Sequence, residues 1–312
     1  MSKAMLQKRA FMKMWETNPK VWKFIINVGL LMKFKTLNER KLPHVINLAS
    51  SHKLYINPSE NRGRALLIKD GVTQKRLHTF WKKAVADFCP SLVIDIGVNY
   101  GECIFSTRYP NDTCIIGIEA NPYLHPYIKR SQVDHSNAQQ IRIVQAFVGD
   151  VEKENQLFYI DKHWSGTSSG TYAPTHNMVE PISVSTITID SLVHTRDLSD
   201  DTLLFKIDVE GYESFVLKGM NHCLMQCKKL LGFIEFDSEY IKKSGQDLDE
   251  FLAFLNKYFV IYMYNQFDDL IEISNRSYTD ITYILKEEEI HTDFILASNN
   301  QIVHQLFSIS RG

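Results

Sequence analysis

Hydrophobic and polar positions change rhythm along this chain of 312 residues. Over residues 1–75 apolar side chains recur at helical spacing (Met5, Phe11, Met12, Trp15, Trp22, Ile25 and Val28), which predicts one or two helices and no strand–helix repeat. Pro43 and Pro58 punctuate the remainder of that stretch, with a short strand expected near 53–56. A helical pattern resumes over 72–88 and is closed by Cys89-Pro90. From Leu92 short apolar runs alternate with helical patterns: strands over 92–96, 114–118 and 141–148, helices over 102–109 and 123–132. Such alternation implies a parallel sheet with right-handed crossovers.

The rhythm breaks over 150–190. Two stretches there, 156–160 and 182–189, read as strands, the second with period-two alternation in Ser183-Val184-Ser185-Thr186-Ile187. Between them runs a Ser-, Gly- and Thr-rich loop, 163–177, long enough to suggest a functional role. The alternation then returns with a strand at 203–208, a helix from about Tyr212, a strand at 230–236 and a helix over 247–257 with an apolar stripe of Leu248, Phe251, Leu252 and Leu255. Strands over 258–264 and 293–297 finish a count of about seven. The expected organisation is an N-terminal basic helical extension over 1–75 and one α/β domain over 76–312 carrying an insertion at 150–190.

Chemistry-bearing residues fall at the ends of these strands, where open α/β sheets bind ligands. After the first strand comes Asp95-Ile96-Gly97-Val98-Asn99-Tyr100-Gly101, a tight turn whose glycines admit close approach to the backbone. Glu119 ends the second strand, 18 residues past Gly101, where an acid can accept from a ribose diol. Lys206-Ile207-Asp208-Val209-Glu210-Gly211-Tyr212-Glu213 follows the fourth strand, and Glu235 closes the fifth. A dinucleotide fingerprint needs Gly-x-Gly-x-x-Gly so that a helix N-terminus meets a pyrophosphate. Here Asp95 stands in the first glycine's place and would repel that phosphate, whereas it would attract the ammonium and sulfonium of S-adenosylmethionine.

The segments at 95–101 and 119–122 (Glu119-Ala120-Asn121-Pro122), Ser165-Gly166-Thr167-Ser168-Ser169, the segment 185–192, and the block 206–213 continued by Val216-Leu217-Lys218-Gly219 resemble the FkbM family of S-adenosylmethionine-dependent methyltransferases. The resemblance covers about 90–240, and Lys-Ile-Asp-Val-Glu-Gly with Val-Leu-Lys-Gly is its most specific part. Ala120 departs from the family's usual Glu-Pro-Asn. The resemblance implies a class I methyltransferase (Rossmann-like) fold, a seven-stranded mostly parallel sheet with helices on both faces, and O-methylation of sugar or polyketide hydroxyls. It assigns Asp95, Gly97, Asn99 and Gly101 to the methionine end of the cofactor, Glu119 to the ribose, and Phe147 with Asp150 to the adenine. Asp208 and Glu210 fall beside the transferred methyl. An alcohol acceptor must lose its proton, which asks for a base or a metal. Asp208 can serve as base, with His163 and His176 as alternatives, or Asp208 with Glu235 or Asp237 can hold a divalent cation through oxygen ligands. Lys206, in an apolar strand beside these acids, reads as an internal ion-pair partner. The loop with His163, Trp164 and Tyr172 reads as a lid suited to a glycan or other polyol.

Charge changes this picture at one end. The chain has 35 basic and 36 acidic residues, so no nucleic-acid partner is expected. Yet residues 1–43 alone carry a net charge of +8. The apolar run 24–32, flanked by Lys20, Lys23, Lys33 and Lys35, is far shorter than the roughly 20 residues of a membrane span. It reads as a helix docked on the domain or on a second subunit, with a membrane-surface helix as the alternative. Five scattered cysteines without a CxxC pair suggest a reducing, cytoplasmic setting, peripheral to a membrane if the basic arm binds one. Homo-oligomer formation, a non-catalytic methyltransferase-like module and a nicotinamide-dependent oxidoreductase stay open at this point.

Overall fold

The computed structural model describes residues 18–170, 179–265 and 267–309. Pro19 opens α1 (Pro19–Phe34), which suits a first-turn position whose amide needs no partner, and Lys35 closes it in the left-handed region at φ 58°. The helix buries Ile26 and Leu30. Strands β1 (Val45–Asn47) and β2 (Lys53–Tyr55) pair antiparallel. Helix α2 (Asn61–Ile68) is capped by the Glu60 carboxylate, which accepts from the amides of Arg62 and Gly63. Helix α3 (Lys75–Lys83) runs on through a wide turn to Phe88. Leu30, Leu54, Ile56, Leu66 and Leu67 share one apolar cluster with Phe80, Trp81, Val93 and Ile115, so residues 18–75 pack on the same core as the sheet.

The main body continues with β3 (Leu92–Ile96), β4 (Cys114–Glu119), α4 (His125–Val133), β5 (Ile141–Gln145), β6 (Phe147–Val148), β7 (Lys153–Asp161), β8 (Val179–Ile187), α5 (Ile189–Val193), β9 (Thr202–Ile207), α6 (Glu213–Lys218), α7 (Asn221–Gln226) and β10 (Lys229–Asp237). It ends with α8 (Ser238–Lys243), α9 (Leu248–Tyr258), β11 (Val260–Tyr264), β12 (Leu270–Glu272), α10 (Tyr278–Leu285), β13 (His291–Ala297) and α11 (Asn300–Leu306). The principal sheet has eight strands in the order β12-β11-β13-β10-β9-β3-β4-β5. Strands β5, β4, β3, β9 and β10 are parallel, and β13 runs antiparallel to both its neighbours. Without the edge strand β12, the sequence order across the sheet is 3-2-1-4-5-7-6 with the seventh strand reversed, which is the class I methyltransferase arrangement. Every residue of β3 is buried, as befits a central parallel strand covered on both faces. Its side chains alternate: Val93 faces the cluster under α1–α3, while Leu92, Ile94 and Ile96 face the one under α9. Among the described residues no helix is long and apolar enough to cross a membrane.

Three sequence expectations need correction. Residues 102–109 form turns, not a helix. The Ser106 amide bonds the Cys103 carbonyl, the Tyr109 amide turns to Asn137 Oδ1, and Pro110 follows, so helical bonding stops after about one turn. The single strand expected at 141–148 is two. After Gln145 the chain leaves the main sheet, and Phe147–Val148 pairs with β8 in a separate sheet of order β6-β8-β7. The sheet has eight strands rather than about seven because the three-residue β12, too short to show a period, pairs with β11.

Candidate active site

The strand order reverses between β3 and β9, and at such a switch point the loops leaving the strands part to form a crevice. A cavity of about 710 Å³ opens there. On one side it is walled by Ile96, Gly97 and Asn99, by Ile118, Glu119 and Ala120, and by Ala146, Phe147, Val148 and Phe158. Across from these stand Asp208, Val209, Glu210, Glu235 and His291. Trp164, Ser165, Gly166 and Ser168 close one edge, and residues of α1 and α2 form the outer wall.

The glycine turn is shaped by what presses on it. Gly97 has φ 78°, and a Cβ there would collide with the Asp208 carbonyl, so no other residue fits without displacing β9. The amides of Gly97 and Val98 both reach the Ile118 carbonyl. Glu119 fastens the turn: one carboxylate oxygen accepts from the Asn99 amide and the other from the Asn121 amide, both at 2.8 Å. Burial pushes the Glu119 carboxyl up and these two amides draw it back.

Several expected positions are corrected. Asp95 does not line the cavity. It is fully buried, 3.3 Å from Lys206 Nζ, so a direct contact with a bound ammonium is excluded in this geometry. Gly101 is also off the wall; it has φ 88° and its missing Cβ makes room for the Phe105 ring. Asp150 lies in the turn after β6 with its Cα against Gly219, away from the wall. His163 turns from the cavity toward Asn61, whose side-chain amide lies 3.2 Å from Nδ1 and 3.0 Å from the His163 carbonyl. Asp237 stands outside the group of facing carboxylates and is committed to capping α8 through the amides of Glu239 and Tyr240. His176 and Tyr172 lie outside the described residues.

Lys206 joins the two walls. Its ammonium donates to the Gly97 carbonyl at 2.8 Å and lies 3.6 Å from Asp208. Burial works against its charge, but Asp95 and Asp208 outweigh burial and hold its pKa above the usual lysine range. The next turn is held in the left-handed region at Glu210 (φ 55°) and Gly211 (φ 92°). Buried Glu213 secures it by accepting from the Val209 and Gly211 amides at 3.2 Å each. Burial pushes the Glu213 carboxyl up to about 7.

Asp208, Glu210 and Glu235 each bring a carboxylate oxygen within 4.8 Å of the others. Burial, then Glu210 and Asp208, drive the Glu235 carboxyl well above its ordinary value. Spaced in this way, the trio also offers the oxygen donors that a divalent cation takes.

Sequence reasoning missed His291. It starts β13 directly opposite Asp237 in the antiparallel register, as Asp293 stands opposite Glu235. Its Nδ1 lies 2.9 Å from Asp237 Oδ2, and its Nε2 lies 3.8 Å from Glu235 on the cavity side. With Asp237 ionised, Nδ1 carries the proton and Nε2 presents a lone pair to the cavity. Arg62 was missed as well; it pairs with Glu102 and stacks over Trp164 with 5.4 Å to the ring centroid.

The sequence pattern of the methyltransferase FkbM domain matches residues 95–261, just over half of the chain. The chain belongs to this family. The FkbM match begins at the Asp95 turn, takes in every strand end described above except that of His291, and stops in β11. Among solved structures, the methyltransferase FkbM from Methylobacillus flagellatus is similar at 13% identity, covering 76% of this chain and 54% of that one with a TM-score of 0.39. The O-methyltransferase from Bacillus cereus, in complex with SAH, is similar at 9% identity, covering 73% of this chain and 82% of that one with a TM-score of 0.40. No curated protein matches the chain.

Proposed function

We propose that this FkbM domain is a methyltransferase that uses S-adenosylmethionine to methylate a hydroxyl oxygen of a sugar or other polyol. The observation that carries the reading is one cavity joining the Gly97–Glu119 wall to the Asp208–His291 wall. The residues present fit the cofactor. Gly97 and Asn99 line the cavity where its amino-acid end would lie, Glu119 lines it where a carboxylate can accept from a ribose diol, and Phe147, Val148 and Phe158 offer an apolar slot for the adenine. When bound, S-adenosylmethionine supplies a methyl group on a cationic sulfur. Asp208 and Glu210 supply the negative potential that favours a cation at the centre of the cavity.

This chain's residues handle the acceptor. An acceptor hydroxyl that is to be methylated must give up its proton. His291 Nε2 takes that proton, and Asp237 at Nδ1 holds the ring in the required tautomer and stabilises the imidazolium. The Trp164, Ser165 and Ser168 edge mixes an aromatic face with hydroxyls, which supports a polyol acceptor.

A screen with labelled cofactor over glycan and lipid-linked extracts, with and without EDTA, tests the reading. Transfer of label to a hydroxyl is the expected result, and loss of transfer with EDTA would assign the carboxylate trio to a cation. His291→Ala should lower kcat by about a hundredfold or more without changing affinity for S-adenosylhomocysteine. Asp237→Asn, which keeps the helix cap, should also lower kcat. Full activity in His291→Ala removes His291 as the base.

A further inference from the structure

The apolar stripe on α1 is not accounted for by the chemistry of the site. Val21, Phe24, Val28, Leu31 and Met32 are exposed, Phe24 by 66% and Met32 by 67%, while Ile26 and Leu30 on the other side of the helix are buried. Their spacing places them along one face. Exposed Lys20, Lys23 and Lys35 accompany the stripe and make no ion pair with any described residue. Lys33 differs: it is tied down on the Leu67 and Ile68 carbonyls and on Asp70, so it anchors the helix.

The stripe is continuous with the active-site cavity. Phe24, Val28 and Met32 form the cavity's outer wall together with Ala65 and Ile68 of α2. Whatever covers the stripe therefore lies at the mouth through which an acceptor reaches Asp208 and His291. An apolar face beside unpaired cations, on a chain whose first 43 residues carry a net charge of +8, is complementary to an anionic lipid surface. A soluble apolar partner would leave those cations without a counterpart.

We propose that α1 seats the protein on an anionic lipid surface, with the cavity mouth turned toward it, so that the acceptor is presented from that surface. The clause about the acceptor rests on the methyl-transfer reading; the docking does not. The test is co-sedimentation of the full-length protein with vesicles of phosphatidylglycerol and phosphatidylcholine, compared with phosphatidylcholine alone. The protein should pellet with the anionic vesicles and not with the neutral ones. The double variant Val21→Asp with Leu31→Asp, and the triple variant Lys20→Glu, Lys23→Glu and Lys35→Glu, should each lose at least about tenfold in vesicle affinity. Both should bind S-adenosylhomocysteine as the parent does, which shows that they are folded. Failure of the parent to pellet, or pelleting of the aspartate variant like the parent, overturns the proposal. So does a dimer in solution that the aspartate variant dissociates, because the stripe then belongs to a second copy. Vesicle binding without any binding of S-adenosylhomocysteine upholds the docking and overturns the methyl-transfer reading instead.

Discussion

Lys206 decides the electrostatics of the site. Buried in β9, it lies within ion-pair distance of Asp95 and Asp208 and holds the Gly97 carbonyl, so a single cation positions the glycine turn and the reaction centre together. The buried acids near it behave differently. Glu213 has its pKa raised from 4.5 to about 7 with burial as the first cause. A carboxyl raised by folding binds its proton more tightly in the folded state. Its stabilising effect is therefore full below about 4.5 and is lost as pH rises through about 7. The shift corresponds to about 3 kcal/mol. Glu213→Gln keeps an oxygen for the Val209 and Gly211 amides but cannot ionise. Urea unfolding at pH 5 and pH 8 should show the parent losing more stability than the variant over that interval, by up to about 3 kcal/mol. Equal losses in the two proteins would show that Glu213 is ionised throughout.

At the scale of elements, the site is assembled by strand register and by one organised loop. The β10–β13 pairing brings Asp237 to His291 and Glu235 to Asp293. Burial also pushes Asp293 up, to about 6, against the pull of His291 and Arg76. The loop after β7 is organised by Asp161, which accepts from the His163 and Trp164 amides and from the Thr167 hydroxyl at 2.7, 3.1 and 2.6 Å. Asp161→Ala leaves those buried donors without this acceptor. The expected cost is about 1–3 kcal/mol in urea unfolding, with a red shift in Trp164 emission; an unshifted spectrum and unchanged stability would show that the loop holds itself. The strand-end acids were legible because an apolar run, a polar stop and a glycine lie side by side in sequence. His291 was not, because its meaning depends on a partner 54 residues away. The 102–109 segment misled because its apolar spacing is helical, while its backbone partners, such as Asn137, are remote in sequence.

For the molecule as a whole, sequence alternation was enough to give the parallel core, since β3, β4 and β9 are mostly apolar apart from a few polar positions such as Asp95, Glu119 and Lys206. It could not give the order of the strands, which the sheet alone displays, nor the way residues 18–75 share the core and wall the cavity. Nor could it separate Asp95, which supports the turn from beneath, from Gly97 and Glu119, which face the cavity. The central claim is that this Gly97–Glu119 wall receives S-adenosylmethionine. Isothermal titration with S-adenosylhomocysteine tests it most directly, with NAD as comparison and with Glu119→Ala and Gly97→Ala as variants. Binding of S-adenosylhomocysteine by the parent, weakened at least about tenfold in each variant, with no heat from NAD, is the result predicted. No binding of S-adenosylhomocysteine, or binding undiminished in both variants, would contradict it.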